Sequence, residues 1–182
     1  MSILANRSVH LDDIIDESLA NYAIARILQM DAENDEEPII LFINSQGGSV
    51  TAGFAVYDAI KFVKSPVWTV GVEVATGIGL LLLVAGSKGS RFLLPDAFVS
   101  LTHVTYDLNA TVALSVMATQ EAARVRNLII GAFASDTGRP MGEISGEMTA
   151  ERSFGSDAAV QYGFADKIIS FHSLLKLITC EE

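Results

Sequence analysis

The residues Pro38-Ile-Ile-Leu-Phe-Ile-Asn44 form a strand-length run that is apolar at every position between its ends. A strand with one wet face alternates; a strand that does not alternate needs cover on both faces. That cover comes from helices packed above and below a parallel sheet, so this single run points to an α/β fold. The surrounding pattern agrees. Asp16 to Met30 predicts a helix with Leu19, Ala23, Ile27 and Met30 on one face, and Asp31 to Glu37 is an acidic turn. Ser45-Gln-Gly-Gly48 is a tight loop, after which Ser49 is expected to cap a helix reaching about Lys64. Val67 to Val72 predicts a second buried strand, and Glu73 to Thr76 leads into a helix carrying Leu80 to Leu83. Arg91 to Leu94 and Phe98 to Val104 read as strands around a Pro95-Asp96 turn. A long helix is expected over about 109–135, ended by Thr137-Gly-Arg-Pro140. From Asn109 to Ala134 its charges are Glu121, Arg124 and Arg126, so most of its circumference needs cover. Two short helices follow, the second with Ser156 as a candidate cap, then a strand over Asp166 to Ser170 and an apolar tail.

Composition narrows the function. Residues 1–182 are one domain's worth of chain, and with half the residues hydrophobic they can bury a core without staples. The net charge of -10 excludes a general nucleic-acid surface, which needs a basic stripe. The single cysteine, Cys180, rules out an internal disulfide and a multi-thiolate zinc site. The three histidines His10, His103 and His172 have no metal-ligand spacing, so no metal and no cofactor is expected. The longest apolar stretch, Gly77 to Gly86, is about half of the ~20 residues that span a bilayer. With no leader visible, the expected location is the cytoplasm, with no membrane partner. Mean hydropathy is +0.38, high enough to suggest apolar surface covered by sister subunits.

Ile43-Asn-Ser-Gln-Gly-Gly-Ser-Val-Thr-Ala-Gly53, followed by Tyr57-Asp58, resembles the signature of the Clp protease proteolytic subunit family. Ala20-Asn21, Leu82 to Phe92, Leu94-Pro95, Ala159 to Gly163 and Asp166 are further matches. They keep the family's spacing from about Arg7 to Ile168. The resemblance implies a crotonase-like (ClpP-like) α/β fold with a repeated ββα core, a protruding handle helix, and a serine peptidase that stacks two rings around a chamber. Each ring would hold six or seven subunits, and ATPase partners would feed it unfolded chains. The long stretch from Asn109 fits the handle.

Serine peptidase chemistry needs a nucleophile, a base to take its proton and an acid to orient that base. By the resemblance, the nucleophile position falls on Gly77, the base on Thr102 and the acid on Glu151. Glycine has no side chain to attack with, and a threonine hydroxyl is no base near neutral pH. Glutamate keeps the carboxylate, one methylene further out. Gly48 and Ile78 match the family's oxyanion-hole amides, although a tight turn alone would also account for Gly47-Gly48. Tyr106 and Asp107 stand where the family has glycines that approach substrate, and Ala150 where it commonly has a ring-pairing arginine. A displaced pair, Thr76 with His103, is the enzymatic alternative; otherwise Thr76 reads as a helix cap and His103 as a half-buried histidine. Only Met1 to Asn6 precede Arg7, where the family has a longer pore-loop segment, and this argues against ATPase docking, to which Ile40 and Phe42 could otherwise contribute.

The expectation is therefore a catalytically degenerate, ClpR-like subunit with a structural or regulatory role in a ring, alone or mixed with an active Clp paralogue. Hydrolysis by a displaced nucleophile is the first alternative. Crotonase-like chemistry on an acyl thioester is the last, because fold analogy is its main support.

Overall fold

A computed structural model describes residues 6–102 and 112–179, with 112–119 and 178–179 described as backbone. The expected positions His103, Tyr106, Asp107 and Cys180, and the first turn of the long helix, lie outside the described residues. Among the described residues are seven strands and seven helices. In chain order they are β1 (Ser8–Asp12), α1 (Glu17–Glu33), β2 (Ile39–Ser45), α2 (Val50–Phe62), β3 (Val67–Thr76), α3 (Ile78–Val84) and β4 (Arg91–Leu93). There follow β5 (Phe98–Ser100), α4 (Val112–Thr137), α5 (Met141–Thr149), β6 (Ser153–Gly155), α6 (Ser156–Tyr162), β7 (Lys167–Ile168) and α7 (Phe171–Thr179).

The sheet runs β1-β2-β3-β4-β7, all parallel. The apolar run of β2 sits one strand in from the edge, and Ile39 to Leu41 and Ile43 are fully buried, as a strand covered on both faces requires. β3 is longer than its sequence reading. Glu73 to Thr76 remain strand because β3 carries two extra residues against β2: Ile43 pairs Gly71, but Ser45 pairs Ala75. Such a bulge bends a strand and increases its twist. It lets one edge of β3 serve two partners, β4 at Thr69 to Gly71 and β5 at Val74 to Thr76. β5 then pairs antiparallel with β6.

The helices follow their caps. Asp16 accepts from the Leu19 amide and starts α1; Ser49 accepts from the Ala52 amide and starts α2. Two expected caps are corrected. Thr76 is the last residue of β3, and Gly77 occupies the N-cap of α3. Ser156 does not cap α6: Gly155 does, and the buried Ser156 hydroxyl faces the carbonyls of Leu94, Pro95 and Ala97, locking the β4–β5 turn instead. β1 and α7 add a strand before Asp16 and a helix within the apolar tail. The C-terminal half of α4 finds cover inside the chain, with Val125, Ile129, Ile130 and Phe133 buried, Phe133 lying edge-on to Phe164.

Candidate functional site

The junction of β3 and α3 turns on a single glycine. Gly77 has φ 53° and ψ -117°, a turn that only glycine adopts without strain. Its amide donates to the Ser100 carbonyl at 3.0 Å, and its carbonyl accepts from Leu81 to open α3. The chain thus passes from strand to helix at one residue, with whatever position 77 carries held out at the end of the sheet. A Cβ placed on Gly77 would lie 2.9 Å from Thr102 Oγ1. The two positions expected for nucleophile and base are therefore neighbours.

Glu151 joins them through the β5–β6 pairing. Ser100 pairs Ser153, and the Leu101 amide donates to the Arg152 carbonyl at 3.3 Å. Continuing that register sets Thr102 opposite Glu151. Glu151 is exposed and has φ 50°. It follows the Ala150 C-cap of α5, with the Arg152 amide reaching back to Glu147 and the Glu151 amide to Met148. This is the left-handed closing turn of a helix, where glycine or asparagine is usual, so a local cause accounts for its backbone.

The Gly47-Gly48 loop lies against the elbow. Ile15 donates to the Gly47 carbonyl and accepts from the Ser49 amide, both at 2.8 Å. In this parallel bridge the flanking groups face Ile15, which leaves Gly48's own amide on the opposite side of the chain. A Cβ on Gly48, at φ 145°, would collide with the Ile15 backbone. Gly47 lies alongside the elbow, its Cβ position 3.1 Å from the Thr76 carbonyl and 3.7 Å from the Ile78 nitrogen. Ile78 is the first residue of α3, so its amide is one of the donors a helix cannot satisfy internally. The Thr76 hydroxyl donates to the Gln46 carbonyl at 2.7 Å, stitching the two loops together. That proton is directed at a backbone oxygen, not a base, so the described geometry gives no support to Thr76 as a nucleophile.

At the opposite end of β3 from the elbow, Arg91 and Asp166 fix the start of β4, where Arg91 pairs with Thr69. The Arg91 guanidinium meets Asp166 at 2.6 and 3.0 Å, and the amides of Gly89 and Arg91 also donate to that carboxylate. Burial works to raise the Asp166 carboxyl, but these bonds outweigh it and hold the group below its ordinary range. Tyr57, Asp136 and Lys61 form a second cluster: Asp136 accepts from Tyr57 at 2.9 Å and Lys61 at 2.7 Å, tying α2 to the end of α4. Burial first, then the Asp136 charge, pushes the Tyr57 hydroxyl well above its usual value. Both clusters use residues the sequence reading had only as matched motif positions, Tyr57 and Asp166. A cavity of about 540 Å³ separates α2 from α4, floored by Val50, Phe54, Val125 and Leu128.

The family model for Clp protease matches residues 1–172. The chain belongs to the Clp protease family. It is 34% identical over 167 residues to the ATP-dependent Clp protease proteolytic subunit 1 of Frankia casuarinae (strain DSM 45818 / CECT 9043 / HFP020203 / CcI3), covering 92% of this chain and 78% of that one. It is 32% identical over 168 residues to the proteolytic subunit 2 of Thermobifida fusca (strain YX), covering 92% of this chain and 83% of the relative. The parallel sheet flanked by helices agrees with the expected ClpP-like fold. Among the described residues no group of His, Cys, Asp and Glu could hold a metal, and no helix is long and apolar enough to cross a membrane.

Proposed function

We propose that this chain is a catalytically degenerate Clp-type subunit, with a structural or regulatory role in a ring assembly of six or seven subunits, formed with itself or with an active paralogue in the cytoplasm. The observation that carries the reading is the elbow at Gly77. The backbone turn that would present a nucleophile is built, but position 77 has no side chain, and its neighbour Thr102 offers a hydroxyl in place of a base. Removing the nucleophile or base from such a unit costs roughly a million-fold in turnover. The loops bearing Gly48 and Ile78 are retained as backbone, which side-chain loss leaves untouched.

Assembly is supported by large apolar residues left outside: Phe62 is 78% exposed, Ile14 63% and Leu128, on α4, 48%. The purified chain is expected to give no turnover of fluorogenic peptides, no fluorophosphonate labelling, and a mass several times 19.5 kDa by light scattering. Stoichiometric labelling of any hydroxyl would overturn the degenerate reading; a stable monomer at micromolar concentration would overturn the ring.

A further inference from the structure

A second cavity, about 430 Å³, lies at the other end of the sheet from Gly77, between the end of α2, the loop into β3 and the turn from α3 to β4. β3 begins at this cavity with Val67 and ends at the elbow ten residues on, so the two sites are roughly 30 Å apart. The cavity gathers Lys61, Lys64 and Lys88, three of the five lysines in a chain of net charge -10. Lys61 is held by Asp136 and by the Ala85 carbonyl. Lys64 has a loose, exposed contact with Asp35 at 3.4 Å. Lys88 is exposed and pairs with no described group. Ser87 accepts from the Val67 amide at 3.0 Å and so keeps its own proton to donate.

Three ammonium groups meet three carboxylates here: Asp136 is already engaged by Tyr57 and Lys61, Asp31 accepts from the Lys64 and Ser65 amides, and Asp35 touches Lys64 loosely. The rest of the acidic surface repels anions. This recess is locally balanced in charge and carries Lys88, unpartnered among the described residues, and it is large enough for a small molecule.

We propose that this recess binds a small, multiply charged oxyanion, of phosphate or carboxylate chemistry, between Lys64 and Lys88 with Ser87 as a further donor. Binding would replace the loose Asp35 contact and give Lys88 its partner.

Isothermal titration of the assembled protein with pyrophosphate and, separately, citrate, at ionic strength matched with sodium chloride, tests this. Saturable binding of one or both is expected, weakened at least tenfold in Lys64→Ala/Lys88→Ala and unchanged in Lys176→Ala. Stronger pyrophosphate binding identifies a phosphate ligand, stronger citrate binding a carboxylate one. Both lysines are exposed, so the variants are expected to melt as the parent does. Heats of dilution only for both anions, or equal affinity in the double variant, would overturn the proposal.

Discussion

Gly77 and Thr102 constrain each other. A side chain at 77 begins 2.9 Å from Thr102 Oγ1, closer than a Cβ normally sits to anything. Gly77→Ser alone therefore has to push Thr102 aside and still has no base, so it is expected to show no esterase activity. Gly77→Ser with Thr102→His replaces the hydroxyl with an imidazole that can act as base, and adding Glu151→Asp should orient it. Hydrolysis of a small activated ester should appear in the double variant and rise in the triple, far beyond the sum of single changes. Equal rates in the single and triple variants would show that another group serves as base. Asp166 makes a different residue-scale prediction. Its folded pKa lies below the unfolded value, so its contribution to stability is complete above about pH 4 and is lost as pH falls through the folded value. Asp166→Asn is expected to destabilise the fold by on the order of 3 kcal/mol at neutral pH, because it leaves the buried Arg91 guanidinium without its carboxylate. Urea titrations at falling pH should show the gap between variant and parent closing in acid.

At the scale of elements, α4 separates cover within the chain from cover outside it. Phe133 is 1% exposed and packs edge-on against Phe164, so Phe133→Ala should cost about 3–5 kcal/mol in thermal or urea unfolding. Leu128, one and a half turns earlier, is half exposed, and its truncation should change subunit stability by only about 0.5 kcal/mol or less. What the sequence disclosed at this scale depended on whether a signal was local. The run of β2, the helix from Asp16 and the Ser49 cap were legible because each depends on residues within one element. β1 carries an alternation, with Val9 and Leu11 buried and His10 and Asp12 exposed, but five residues are a weak periodic signal beside the adjoining helix. α7 hid in a tail that merely looked apolar; its buried Leu174 lies between exposed Phe171 and Leu175. The extension of β3 and the true role of Ser156 were not legible, because both follow from partners more than twenty residues away. The same holds for the site: the positions 77, 102 and 151 could be aligned to a pattern, but their placement relative to one another rests on the β3–β5 and β5–β6 pairings.

For the molecule as a whole, the exposed apolar side chains set the test of assembly. Leu128→Asp and Phe62→Asp leave a lone subunit's core intact, since neither side chain is buried. If sister subunits cover these positions, at least one of the two variants should lower the mass seen by light scattering while circular dichroism stays unchanged. Unaltered mass in both would place the contacts elsewhere on the surface.

The elbow also bears on history. Glycine at position 77 holds its left-handed turn freely, whereas a residue with a side chain would carry about 1–3 kcal/mol of backbone strain there. A serine at this position has to accept that strain, plus the collision with Thr102, before any base exists to reward it. Under the reading proposed above, a side chain at position 77 is a loss on its own until position 102 also changes, so the arrangement works as a ratchet against that single step.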